Sequence, residues 1–178
     1  MSTVNYFHPK RQIKSIAAKF KMKKLGIAST LIYFSITAYA AVFSNDELAE
    51  KANLLNNNLP ISIDNNLILN NVLYRQGRIL EYHFQLNKDN FFSEMAHQLN
   101  ISIDNLKNLL AQEHGSLKNA LKVSVNELAK DITNNICSGK NKELKNFIFD
   151  GIELKYDYYD EGGVYISSSF FKKEMCIK

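Results

Sequence analysis

The histidines are the first residues in this sequence whose chemistry needs testing, and three of them lie beyond residue 40. His83 alternates with other polar residues, a pattern that places it on the solvent-facing side of a strand. Glu94 and His97 form a single E-x-x-H pair, whereas a di-metal carboxylate bundle needs that motif twice, with two further glutamates. His114 precedes the helix-breaking Gly115 and is expected at the surface. The histidines therefore predict no metal site and no general base.

Carboxylates cluster near the C-terminus at Asp157, Asp160 and Glu161, followed by two glycines. A calcium loop counted from Asp157 would need oxygen ligands at alternating positions and a glutamate at the twelfth, but Tyr159 and Ser168 stand at the third and twelfth. Turn chemistry explains these residues better. The sequence also contains no nucleophile elbow, phosphate loop, dinucleotide fingerprint or H-E-x-x-H motif. We therefore predict no catalytic residue, no cofactor and no enzymatic activity.

The two cysteines, Cys137 and Cys176, are the remaining reactive side chains. They are too far apart in sequence for a C-x-x-C redox or metal motif and have no histidine near them. A disulfide between them would close a loop of about 40 residues and stabilise the fold by about 4 kcal/mol. We interpret the pair as a structural disulfide.

The first 40 residues have the pattern of a leader. Lys23 and Lys24 precede an apolar run from Leu25 to Ala38, and a small-x-small cleavage signature ends at Ala40. The run is shorter than the ~20 residues needed to span a bilayer. This predicts a leader over 1–40 with a cleavable signal peptide (22–40 being the signal proper), a periplasmic product and no stable membrane anchor after cleavage. Translation from Met1 and translation from Met22 both remain open.

The basic charge of the chain is concentrated in this leader. Seven of the 22 basic residues precede position 25, and no acidic residue precedes Asp46. Residues 41–178 therefore carry 15 basic and 18 acidic side chains. A basic groove for nucleic acid is unsupported in the part expected to fold.

Hydrophobic periodicity predicts a single α+β domain over 41–178. An S-x-x-E capping box at Ser44 and Glu47 starts a helix that runs to about Asn57. Two hairpins, 67–86 and 152–171, flank a helical region in which Ser124 and Glu127 form a second capping box. We expect a four-stranded antiparallel sheet made of these two hairpins, with helices packed on one face.

The second hairpin carries more aromatic side chains than a one-sided core can bury. The residues we select as partner-binding candidates are Tyr159, Asp160, Glu161, Tyr165 and Phe171. A ladder of aromatic pairs that only stabilises the hairpin is the alternative explanation.

A signal peptide, a cysteine pair and a Y-x-Y-x-D-x-x-G hairpin, here Tyr156, Tyr158, Asp160 and Gly163, occur together in this chain. In this combination the chain resembles small, uncharacterised exported proteins of Gram-negative bacteria. The resemblance implies a periplasmic α+β domain and contributes no catalytic residue.

These observations predict a soluble periplasmic protein that binds another exported or envelope protein, as an inhibitor or immunity-type protein. The alternative is an accessory factor or chaperone of a cell-envelope secretion or pilus assembly system. Both functions need a binding surface and neither needs a catalytic site.

Overall fold

A computed structural model describes residues 43–140 and 142–177 of the chain. The predicted leader, its signal peptide and the cleavage site after Ala40 lie outside these residues. The helices are α1 (Asn45–Asn56), α2 (Lys88–Leu99), α3 (Ile103–His114), α4 (Leu117–Cys137) and α5 (Lys142–Phe149). The strands are β1 (Ile61–Ser62), β2 (Leu67–Arg75), β3 (Ile79–Leu86), β4 (Glu153–Asp160) and β5 (Tyr165–Phe171).

The strands form one five-stranded sheet in chain order. The predicted α+β class and both hairpins are confirmed, but the expected four-stranded antiparallel sheet is wrong in two respects. The hairpins join through β3 and β4, which run parallel, because α2 to α5 return the chain from the end of β3 to the start of β4. The additional strand, β1, has two residues, too few to show an alternating pattern.

Alternation along the strands places the core on one face of the sheet, and the helices pack on that face, as predicted. The strands β3 and β4 bury apolar side chains at alternate positions, namely Leu80, Tyr82, Phe84, Leu86, Leu154, Tyr156 and Tyr158. The helices complete the same core through residues such as Leu48, Phe92, Leu106, Leu121 and Ile148. The opposite face of β3 and β4 carries polar and charged side chains.

Serine caps begin several of the helices. The predicted capping box is present in α1, where the Glu47 N–H donates to Ser44 Oγ (3.2 Å) and the Ser44 N–H donates to the Glu47 carboxylate (2.6 Å). The predicted box at Ser124 is wrong, because α4 is one continuous helix of 21 residues capped by Ser116. Ser124 Oγ donates instead to the Ala120 carbonyl oxygen (3.0 Å). The apolar stripe of α4 continues through this position, so tertiary packing outweighs the local capping signal.

The cysteine pair joins the end of α4 to the chain that follows β5. The sulfur atoms of Cys137 and Cys176 are 1.91 Å apart and their Cα atoms 5.1 Å apart. Cys176 ends a short 3-10 helix, Lys173–Cys176. The disulfide predicted from the sequence is therefore present.

Asn56, the last residue of α1, covers the free edge of β2. Its side-chain amide donates to the Val72 carbonyl oxygen (2.6 Å), and its Oδ1 accepts the Val72 N–H (2.8 Å). β1 pairs with β2 only at Leu69 and Ile68, so Asn56 satisfies backbone groups that no strand reaches.

None of the helices formed by residues 43–140 and 142–177 has the length and apolar character that crossing a membrane requires.

Candidate functional site

Asp160 organises the turn between β4 and β5 and ties it to α2. Its Oδ1 accepts the N–H groups of Gly162 (2.9 Å) and Val164 (2.8 Å). Its Oδ2 lies 3.0 Å from Lys88 Nζ at the start of α2. The backbone hydrogen bond from Val164, followed by the Lys88 ammonium, lowers the pKa of Asp160.

Glu161 connects the same turn to α2. Its carboxylate accepts the Lys88 backbone N–H and lies 3.6 Å from Lys88 Nζ. A carboxylate at the first turn of a helix also meets the positive end of the helix dipole. Asp160 and Glu161 therefore position the hairpin against α2, and of the two only Glu161 is exposed.

The two tyrosines of the predicted surface form an edge-to-face pair whose ring centroids are 5.9 Å apart. Tyr165 is about half exposed, and its hydroxyl lies 2.8 Å from Ser168 Oγ. Tyr159 is partly buried and its ring lies 5.5 Å from that of His83. These contacts agree with the aromatic-ladder interpretation, and partner binding by the exposed Tyr165 stays a prediction.

Phe171 was selected as a partner-contact residue, and the structure contradicts this prediction. It is 1% exposed, and its ring packs edge-on against Tyr156 with centroids 4.8 Å apart. The reason is strand register, since Phe171 lies opposite the buried Leu154 and shares its face. The neighbouring Phe170, which is 46% exposed, points to the opposite face.

A pocket of about 270 Å³ lies between the hairpin turn and the helices α2, α3 and α4. We call it the hairpin groove. Its apolar lining consists of Phe92, Leu117, Leu121, Val164 and Ile166. Three lysines, Lys88, Lys107 and Lys118, line it together with two aspartates and Tyr165. Two of the sequence-predicted residues, Asp160 and Tyr165, therefore belong to a concave surface.

The three lysines of the hairpin groove differ in how their charge is balanced. Lys88 pairs with the turn carboxylates, and Lys107 Nζ lies 3.3 Å from Asp89 and 5.7 Å from the Phe92 ring centroid. Lys118 is exposed, and no carboxylate among the described residues lies within 4.0 Å of its ammonium. The groove thus has an apolar lining with an unneutralised cation at its edge.

A second polar arrangement lies on the face of the sheet that the helices leave open. We call Arg75, Glu81, His83, Lys155 and Asp157 the sheet-face cluster. Glu81 and Asp157 are only 8% and 3% exposed. His83 Nε2 lies 2.6 Å from Glu81 Oε1 and 3.8 Å from Asp157 Oδ2. Lys155 Nζ lies 3.3 Å from Glu81 Oε2 and 2.7 Å from Asp157 Oδ2.

Hydrogen bonds within this cluster favour the charged forms of Glu81 and Lys155. Burial opposes ionisation of Glu81, but hydrogen bonds from His83, Arg75 and Lys155 outweigh it and lower the pKa of Glu81 to about 2. The hydrogen bond to Asp157, followed by the interactions with Glu81, raises the pKa of Lys155. The Glu81 carboxylate is therefore charged near neutral pH.

His83 lies on the polar strand face that its alternation predicts, but its contact with Asp157 was not predicted. His83 lies directly opposite Asp157 only because β3 and β4 are parallel neighbours, an arrangement that the two-hairpin prediction did not contain. Among the described residues, Glu81, His83 and Asp157 form the one group of three potential metal ligands whose donor atoms all lie within 4.8 Å of each other. His97 and His114 are not part of it.

Comparisons with known proteins found a similar fold but no similar sequence. No protein-family model matches the chain, and no curated protein sequence matches it. The fold is similar to that of the pilotin EpsS of the Vibrio vulnificus type 2 secretion system, with a TM-score of 0.50, 13% identity, and coverage of 75% of this chain and 92% of that one. A Pseudomonas aeruginosa protein described as secreted matches with a TM-score of 0.47, 12% identity, and coverage of 74% and 95%.

The pilotin AspS of the Vibrio cholerae type II secretion system has a TM-score of 0.43 and 17% identity, with coverage of 72% of this chain and 88% of that chain. At such identities these comparisons concern the fold alone.

Proposed function

We propose that this chain is an accessory protein of a cell-envelope secretion system, exported to the periplasm, that binds another envelope protein and catalyses no reaction. The observation that carries the proposal is the similarity of its fold to EpsS over 92% of that chain. This similarity favours the accessory factor, which was the alternative in the sequence analysis, over the inhibitor or immunity-type protein.

The hairpin groove is the surface that best suits such binding. It is concave, and apolar side chains line it together with charged groups, a combination typical of sites that take an apolar anchor from a partner. The turn that forms one wall is held in place by the contacts of Asp160 and Glu161 with Lys88. A preorganised wall reduces the entropy lost on binding.

The chemistry of the groove defines what would fill it. Val164, which is 51% exposed, and the half-buried Leu117 would contact apolar side chains of the partner. Lys118, whose charge no described carboxylate balances, would pair with an acidic side chain beside them. We therefore expect a peptide segment of an envelope protein that has an apolar stripe and at least one flanking carboxylate.

Site-specific photocrosslinking in cells that produce the full chain tests this proposal. A photoreactive residue replaces Val164 in the groove or, as the control, the exposed Leu54 of α1, which packs near β2, three strands away from β5. We expect the Val164 position to crosslink a component of a secretion assembly and the Leu54 position to crosslink none.

Two results would count against the proposal. Crosslinking of a soluble toxin or hydrolase from Val164 would restore the inhibitor interpretation. Equal crosslinking from both positions, or none from Val164, would remove the groove as the binding surface.

A further inference from the structure

The sheet-face cluster contains three side chains that commonly bind metal ions. Glu81 and His83 are two residues apart on β3 and therefore point to the same face. Asp157 stands opposite His83 on the parallel strand β4. This places a ring nitrogen and two carboxylates on rigid, adjacent strands, with all donor atoms within 4.8 Å of one another.

The spacing of these donors is close to what zinc requires. Zn–N and Zn–O bonds of about 2.0 to 2.2 Å at tetrahedral angles separate two ligand atoms by about 3.4 Å. The observed separations from His83 Nε2 are 2.6 Å to Glu81 and 3.8 Å to Asp157. Small side-chain movements would equalise them. Three protein ligands on an open face leave the fourth position to water.

A neighbouring hydroxyl group holds one of the carboxylates in position. Ser168 Oγ donates a hydrogen bond to Asp157 Oδ1, which leaves Oδ2 on the side of His83 and Lys155. The Tyr165 hydroxyl in turn lies 2.8 Å from Ser168 Oγ. Such outer contacts orient the ligands of metal sites.

Lys155 is the group that a metal ion would replace. Its ammonium contacts both carboxylates, at 2.7 Å and 3.3 Å, so a divalent cation and this ammonium compete for the same oxygens. In this same position the Lys155 Nζ is 6.0 Å from the ring centroid of the half-exposed Phe170, so a shift towards that ring would keep a cation–π contact while the ammonium leaves the carboxylates.

We propose that Glu81, His83 and Asp157 form a binding site for a zinc-class divalent metal ion, which enters in exchange for the Lys155 ammonium. This site lies on the open face of the sheet, and none of its three ligand residues lines the hairpin groove. Its two carboxylates are buried and held on adjacent strands by the contacts of Ser168 and Lys155, so the sheet already provides a preorganised site. Arg75, at 3.4 Å from Glu81 and largely exposed, would move aside with Lys155.

Calorimetric titration of the purified full chain with zinc chloride, with the disulfide intact, tests the proposal. We expect one ion per chain and a loss of affinity of more than about 10-fold in His83→Ala. His114→Ala is the matched control, because this histidine also has a carboxylate neighbour, at 3.7 Å, but lies outside the cluster, and we expect unchanged affinity.

Variants of Lys155 test the exchange itself. Lys155→Met removes the competing charge and should tighten binding by about 10-fold, whereas Lys155→Arg keeps the charge and should not tighten it. Circular dichroism without zinc checks that each variant folds; if Lys155→Met does not fold, His83→Ala and Asp157→Asn still decide the question. No binding by the unmodified chain, equal binding by His83→Ala, or binding only after Lys155 is removed would each overturn the proposal.

Discussion

Replacing Phe171 with alanine is the most informative test of the register between β4 and β5. The hairpin groove and the sheet-face cluster both depend on this register. The Phe171 side chain is 1% exposed and packs on Tyr156 with centroids 4.8 Å apart. Truncating a buried phenylalanine costs about 3 to 5 kcal/mol, from lost burial and from the cavity that remains. For a domain of this size that corresponds to a decrease in Tm of about 10 to 18 °C.

The adjacent Phe170 provides a matched control for this substitution. It is 46% exposed, on the face that carries Lys155, and Phe170→Ala should cost less than about 1 kcal/mol. Urea unfolding of both variants, followed by circular dichroism under oxidising conditions that keep the disulfide, measures the difference.

The difference between the losses in free energy of unfolding of Phe171→Ala and Phe170→Ala decides whether the register is correct. A cost for Phe171→Ala at least about 2 kcal/mol above that for Phe170→Ala agrees with the register that places Phe171 opposite Leu154. Equal costs, or a larger cost at Phe170, would refute this register and with it the position of Asp157 opposite Ser168.

Three further predictions concern the pH dependence, the sheet edge and the long helix. Since the pKa of Glu81 is lowered from 4.5 to about 2, it stabilises the fold above pH 4.5 and loses this effect as the pH falls towards 2. Between pH 6 and pH 3 the free energy of unfolding, measured with urea, should decrease by about 1.5 kcal/mol less in Glu81→Gln than in the unmodified chain. The same decrease in both proteins would contradict this prediction. Asn56→Ala removes two hydrogen bonds to Val72 and should cost about 2 kcal/mol in urea unfolding. Asn56→Asp places a carboxylate oxygen against the Val72 carbonyl oxygen and should cost at least as much; a negligible cost for both variants would be evidence against the edge contact. Ser116→Ala should cost about 1 kcal/mol as a lost helix cap, and Ser124→Ala should cost less than half of that; the reverse order, measured in the same way, would support a helix that starts near Ser124.

Local sequence signals predicted the elements that depend on neighbouring residues. The hairpins followed from alternation and turn residues, and the start of α1 followed from the Ser44 and Glu47 pair. The same type of signal was wrong at Ser124, where the apolar stripe of α4 continues and packing favours one long helix. A capping motif describes a local preference, and burial of a helix face in the core outweighs it.

The order of strands depends on long-range contacts and was not predictable in this way. Nothing near His83 in the sequence indicates that Asp157, 74 residues later, will be its neighbour across two parallel strands. The selection of Phe171 rather than Phe170 as exposed was wrong for a related reason, because two adjacent aromatic residues on a strand point to opposite faces and only the register decides which one is buried.

Complementation of a deletion strain tests the proposed function most directly. The full chain carrying Val164→Glu, which introduces a charge into the hairpin groove, is compared with Leu54→Glu on α1, and the proteins exported by the secretion system are measured in the culture medium. The proposal predicts that secretion is lost on deletion, restored by the unmodified chain and by Leu54→Glu, and not restored by Val164→Glu at equal protein levels. Full secretion in the deletion strain would contradict the role in secretion, and full restoration by Val164→Glu would contradict the role of the hairpin groove.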